Sequence, residues 1–387
     1  MSKSIRVLFQ SRTDLFKKRG GDTVQILETQ QALKKLGLIV NVSTELSPDL
    51  THYDIVHIFN LDWVSEPYIQ VKNALKYNKK IVLSPIHHSL KEYKLYENKN
   101  RYGLMVIGNF LIPNQPLRDT FRNLVKAFIN PKYKFKGFVY QLFTGIRYQQ
   151  KFCLKNADIV IVQTNLEAKD LVNDYKTSSF KWKKVVNGVN ASKFSNSTPL
   201  LAYKKLGFNN YIYSVGRIEP RKNQLSLIKA FRLLKNRNPK YNNLHLVFSG
   251  GFNSIHSTYV YKFKKQVKNN SDIHYTGFLS QQDLANYYSG AKVFAVPSWF
   301  ETTGLVYLEA ALAGSKSILA SGNRAKEYLN DNAVYAKPFD IEDIYLNLDK
   351  ALTTNTVKPS FPSYIKQKYT WDNAAKDILN IYEHLID

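Results

Sequence analysis

Short apolar runs alternate with helical patterns twice along this chain, and that alternation restricts the fold more than any other feature. Residues 4–9, 40–42, 54–59, 81–86 and 157–162 read as buried strands with amphipathic stretches between them. A second series runs through 211–215, 245–248, 273–278, 292–296 and 317–320. Strands alternating with helices build parallel sheets, whose ligands bind outside the carboxyl ends of the strands. The polar, turn-rich Asn196-Ser197-Thr198-Pro199 separates the two series. The expected class is α/β, with two Rossmann-like parallel-sheet domains, 1–200 and 201–370, facing each other across a cleft. A terminal helix, 371–387, is set apart by Pro359 and Pro362.

Residues 297–314 carry the densest chemistry. They follow a strand and run from Pro297-Ser298-Trp299-Phe300-Glu301-Thr302-Thr303-Gly304 into a helical pattern. Leu305, Leu308 and Leu312 share one helix face, Thr302 and Thr303 are N-cap candidates, and Gly314 stands where a glycine would end the helix. A helix N-terminus at the mouth of a sheet offers unpaired N–H groups and the positive end of a dipole, which suits phosphate. Glu301 lies in the loop and Glu309 on the helix, away from the leucine face. Carboxylates beside sugar hydroxyls accept strong hydrogen bonds. A diphosphate flanked by hydroxyl groups is the shape of a nucleotide sugar. Two glutamates alone would read as solvated surface, so the inference needs the other motifs.

Those motifs lie at strand ends. Gly20-Gly21 follows the first strand, where glycine lets backbone N–H groups approach a phosphate. Gly216-Arg217 and Lys222-Asn223 follow the strand at 211–215 and open a helix, a position suited to neutralising phosphate. Thr276-Gly277 ends another strand. His87-His88 follows the strand at 81–86; the pair has no metal-type neighbours, and either residue could touch an acceptor or serve the loop alone. The chain holds no Gly-x-Gly-x-x-Gly, no Gly-Lys-Ser/Thr and no Asp-x-Asp, which removes the dinucleotide fingerprint, the P-loop and a metal clamp on a diphosphate.

Charge narrows the partners. Fifty-five basic against thirty acidic residues give +25, a field that attracts nucleic acid, an anionic membrane leaflet or phosphorylated substrates. Residues 91–155 hold thirteen Lys/Arg against three Asp/Glu, interleaved with Phe110, Phe121, Phe128, Tyr133, Phe135, Phe138, Tyr140, Phe143, Tyr148 and Phe152. That mixture suits an anionic bilayer surface, or a grip on single-stranded nucleic acid by stacking, and as well as the bilayer it suits a helical insertion whose rings face a core. A single cysteine, Cys153, no signal-peptide core and no membrane-length apolar run point to the cytoplasm, with the inner membrane face as a peripheral location.

Taken together, the motifs resemble the retaining GT-B glycosyltransferases of family 4 (group 1). Glu301 and Glu309 resemble that family's Glu-x7-Glu, and Asn187-Gly188-Val189-Asn190 its Asn-Gly-Val-Asp. Gly216-Arg217 with Lys222-Asn223 resembles its Gly-Arg…Lys-Asn, and Gly20-Gly21 its glycine pair near the donor diphosphate. The resemblance implies a nucleoside-diphosphate-sugar donor, UDP- or GDP-linked, and a glycan or polyprenyl-linked acceptor in surface polysaccharide assembly. It implies neither metal nor resident cofactor, and no nucleic acid. Donor contacts would come from Gly20, Gly21, Gly216, Arg217, Lys222, Thr276, Gly277, Glu301, Thr302, Thr303, Gly304, Leu305 and Glu309. Glu301, Arg217 and Lys222 would be catalytic, and His87 or His88 would face the acceptor. The family's last helix crosses back to the first domain, which residues 371–385 resemble. Residues 91–155 match no family motif. Alternative readings are a basic, non-catalytic nucleic-acid-binding protein and a GT-B phosphorylase.

Overall fold

The computed structural model describes residues 4–18, 20–63, 65–99, 143–322 and 324–387. Most of the aromatic residues of 91–155, from Phe110 to Tyr140, lie outside them. The chain forms two compact units. The first gathers residues 4–90, 143–188 and 371–387, and the second 91–99 and 189–370. The second unit therefore begins at Val189, ahead of residue 201, and takes in the segment that follows Leu90.

In the first unit six parallel strands run β1 (Arg6–Gln10), β2 (Ile39–Ser43), β3 (Ile55–Phe59), β4 (Lys80–Ser84), β5 (Ile159–Val162) and β6 (Trp182–Lys184). Their order in the sheet is β2-β1-β3-β4-β5-β6. The interior strands are apolar on both faces, as a sheet covered on both sides requires. All three residues of β6 are exposed, so this edge strand gives no apolar signal in the sequence. Helix α1 (Gly21–Lys35) follows β1 and buries Ile26, Ala32 and Leu33.

The chain's last helix belongs to this unit and buries Trp371, Ala374, Ala375, Ile378, Ile381 and Tyr382. Tyr382 reaches His57 in the middle of β3, with its hydroxyl 2.6 Å from Nδ1, while Ser84 Oγ lies 2.8 Å from Nε2. Burial drives His57 down to about 3, so its ring is neutral.

In the second unit β7 (Tyr211–Val215), β8 (His245–Ser249), β9 (Ile273–Tyr275), β10 (Val293–Val296), β11 (Ile318–Ser321) and β12 (Val334–Ala336) form a sheet of order β12-β11-β10-β7-β8-β9. Every pairing in both sheets is parallel. Chain order runs outward in one direction from β7 and in the other from β10, so the topological switch lies between these two strands. The corresponding switch in the first sheet lies between β1 and β3. Crevices for ligands open at such points, outside the carboxyl ends. Among the described residues no helix is long and apolar enough to cross a membrane.

Candidate active site

The sequence-marked residues of the second unit converge at its switch point. Gly216 directly follows β7, and its N–H donates to Ser249 O at 3.0 Å; Ile218 N donates to Gly251 O at 2.9 Å. The loops after β7 and β8 thus continue side by side past the sheet, joined by a parallel bridge between Ile218 and Phe252. Such close approach needs glycine. A Cβ on Gly250 would stand 2.1 Å from Gly216 O, and both residues hold positive φ.

The loop then turns through a 3-10 segment, Pro220–Lys222, to Asn223 at φ 62°. Asn tolerates this left-handed conformation better than most residues. Its amide donates to Pro297 O at 3.0 Å and to Pro338 O at 2.7 Å, which pins the loop after β10 to the loop after β7.

Charged groups alternate across this junction. Lys222 Nζ lies 2.5 Å from Glu301 Oε1, and Arg221 Nη1 lies 3.5 Å from Glu301 Oε2. Arg221 Nε donates to Glu219 Oε1 at 3.2 Å, and Arg217 Nε lies 3.7 Å from Glu219 Oε2. Glu301 and Glu219 are buried, while Arg217 keeps 46% of its side chain exposed. Burial alone would raise the Glu301 carboxyl, but Lys222 and Arg221 outweigh it and hold the group at about 2. For Lys222 burial dominates and lowers the ammonium against the pull of Glu301.

The helix after β10 is Leu305–Leu312. Its N-cap is Gly304 at φ 67°, not Thr302 or Thr303. The entry needs a left-handed residue, which a threonine would take only with strain, and Thr303 is instead buried. A Cβ on Gly304 would lie 2.6 Å from the Tyr307 ring, whose hydroxyl donates to Val296 O at 2.5 Å. Leu308 and Leu312 enter the core while Leu305 is half-buried, and Gly314 follows the helix at φ 96° as expected. Glu309 is half-buried and accepts from Tyr288 Oη at 3.3 Å. Burial raises its carboxyl to about 7. On the other flank, Thr276 Oγ1 lies 2.6 Å from Ser249 Oγ, and Gly277 O accepts from Gly250 N at 2.8 Å.

The marked residues of the first unit have different surroundings. Gly20 is the N-cap of α1, in extended conformation, and Gly21 opens the helix. Asp22 stands beside them: its carboxylate accepts from Thr23 N at 2.9 Å and binds Arg12 Nε at 2.7 Å. His87 is fully buried. Its Nδ1 lies 2.6 Å from Asp62 and its Nε2 2.9 Å from Asp174. Each ring nitrogen thus faces a carboxylate oxygen. His88 is the more exposed of the pair, 3.6 Å from Asp62.

Sequence reasoning passed over Arg221, Glu219, Asp62 and Asp174. The only signal for the first two was the run Arg217-Ile218-Glu219-Pro220-Arg221-Lys222, whose mixed charges do not say which ones meet.

A profile for glycosyl transferases group 1 matches residues 203–371. That region is similar to group 1 glycosyltransferases, and the chain is a glycosyltransferase. It is 23% identical over 402 aligned residues to the mannosylfructose-phosphate synthase of Agrobacterium fabrum, covering 94% of this chain and 86% of that one. With an O-antigen chain mannosyltransferase B of Escherichia coli it shares 25% identity over 194 residues, 48% of this chain and 49% of the relative. Its fold matches the HepE protein of Anabaena, solved with UDP and glucose, at a TM-score of 0.67 and 14% identity over 98% of this chain and 100% of that one. Two parallel-sheet units of this kind make the GT-B fold. A glycosyltransferase is an enzyme, so the non-catalytic reading falls away.

Proposed function

We propose that this glycosyltransferase moves a sugar, with retention, from a nucleoside diphosphate to a glycan or polyprenyl-linked acceptor during surface polysaccharide assembly. One observation carries the reading: Arg217, Arg221 and Lys222 gather with Glu219 and Glu301 at the switch point of the second sheet, beside a helix capped by Gly304. Departure of the diphosphate builds negative charge. Arg217, Lys222 and the N–H groups around Gly304 are suited to stabilise it, usually the largest catalytic contribution in such transfers. Cations in these positions take the place of a metal clamp. Glu301 holds Lys222 in the loop until the diphosphate competes for the ammonium, and it then faces the donor sugar as the cationic transition state forms. Glu309 accepts from the nucleotide ribose. The acceptor proton goes to the departing phosphate oxygen on the same face. HepE in complex with UDP and glucose supports a UDP-linked donor, and the O-antigen mannosyltransferase supports a glycan acceptor.

The test is a thermal-shift and product screen against UDP, GDP, ADP and their sugars with EDTA present. A ligand that binds only the folded chain raises the melting temperature by mass action. Stabilisation by one nucleoside diphosphate, lost in Lys222→Ala, is expected. Activity that appears only after a divalent metal is restored would overturn the metal-free site. Release of sugar phosphate instead of a nucleoside diphosphate would favour a phosphorylase.

A further inference from the structure

Glu219 has no place in that donor site as a ligand: it is buried, and a carboxylate repels phosphate. Its contacts give it another task. One oxygen takes Arg221 Nε at 3.2 Å. The other takes Asn253 Nδ2 at 2.7 Å and lies 3.7 Å from Arg217 Nε. Asn253 comes from the loop after β8, and its own N–H donates to Ile218 O at 3.4 Å, so the carboxylate is fixed by a second loop as well as its own. Arg221 is then directed onward, with Nη1 3.3 Å from Phe300 O and 3.5 Å from Glu301. Lys222 N donates to Glu219 O at 3.0 Å, so the same residue also fixes the turn that carries Lys222.

We infer that Glu219 is a positioning residue that aims Arg217 and Arg221 at the donor diphosphate, with Asn253 as its anchor. The inference rests on the donor-site reading above. It makes an unusual demand on sign. Replacing Glu219 by glutamine removes a negative charge beside three cations, and Coulomb attraction alone would then tighten any bound anion. Positioning requires the reverse: guanidinium groups released from the carboxylate lose the fixed geometry that makes arginine a good phosphate ligand.

The experiment measures binding of inorganic pyrophosphate and of the nucleoside diphosphate that stabilises the protein, by calorimetry, for Glu219→Gln, Arg217→Ala, Lys222→Ala and the double variant Glu219→Gln/Arg217→Ala. The expected result is a loss of about tenfold in Glu219→Gln, on the scale at which outer partners act through ligand-holding groups. That loss should shrink on the Arg217→Ala background, because coupled residues are not additive. Unchanged or tighter binding in Glu219→Gln, with Arg217→Ala and Lys222→Ala both weakened, overturns the role of Glu219 and keeps the donor site. Binding unaffected in all three single variants overturns the donor site itself. Should Glu219→Gln fail to fold, Asn253→Ala decides, since it leaves every charge in place. A smaller loss supports the inference, and wild-type binding overturns it.

Discussion

The two sheets share a plan and differ in how charge is arranged where their strands end. At the switch point of the first, Arg12 is locked between Asp22 and Asp14, each at 2.7 Å. Beyond β4, His87 is locked between Asp62 and Asp174. Each of these two side chains lies between two carboxylates. At the switch point of the second, among the described residues, Arg217, Arg221 and Lys222 pair with Glu219 and Glu301, and Arg217 still reaches solvent. Helix N-termini alone do not explain the contrast, because α1 also begins on a glycine with its first turn at a sheet mouth. Asp22 occupies that first turn, so a phosphate arriving beside Gly20 and Gly21 would meet a carboxylate. The lesson is that topology places a crevice and side chains decide its sign.

The largest effect should separate the two ends by kind. Lys222→Ala should slow transfer by about 10²–10³-fold, the scale of losing one preorganised donor to developing charge, while the far-UV spectrum stays native. Arg12→Ala should instead destabilise. It leaves Asp14 and Asp22 facing each other without the buried guanidinium, a loss of about 3 kcal/mol in urea unfolding. Wild-type stability in Arg12→Ala, or loss of donor binding without loss of stability, would break the comparison.

A smaller effect contrasts two carboxylates within the second unit. Glu301, held at about 2, contributes stability that is present above its ordinary 4.5 and is lost as pH falls towards 2. Glu309 has the opposite sign. Its folded value of about 7 lies above 4.5, so the native state holds the extra proton between them and stability falls as pH rises through that window. Glu309→Gln should therefore melt above the wild type at pH 8, by on the order of a few degrees, with the gap closing by pH 5. Melting curves in which the gap is the same at both pH values would remove the burial cost assigned to Glu309.

Much of the fold was legible because an interior parallel strand is apolar on both faces: β7 stands at residues 211–215, as its tyrosines and aliphatics suggest. What stayed hidden was at edges and in long-range pairing. Trp182-Lys183-Lys184 reads as surface because it is an exposed edge, and β12 is only three residues long. Thr302 and Thr303 look like caps until the backbone demands a left-handed Gly304. Glu301 was visible as a site residue, but its bond to Lys222 joins positions 79 apart, which no spacing rule can find. The histidine pair shows the same limit. His87 and His88 are neighbours in sequence, and only folding shows that Asp174 takes one of them into the interior.

The smallest effect tests why the terminal helix belongs to the first unit at all. Tyr382 projects from that helix to His57, a neutral ring buried among Phe9 and Phe59. Tyr382→Phe keeps the ring and removes one hydrogen bond. The buried Nδ1 then loses its partner, a penalty of about 1–3 kcal/mol, since an unmet buried polar group costs more than the bond is worth. The expected outcome is a lower urea midpoint with an unchanged slope. His57→Phe/Tyr382→Phe should recover part of the loss, because it removes both partners and leaves no polar atom unmet. If the double variant is no more stable than Tyr382→Phe, the helix is held by the packing of Trp371, Ile378 and Ile381 alone.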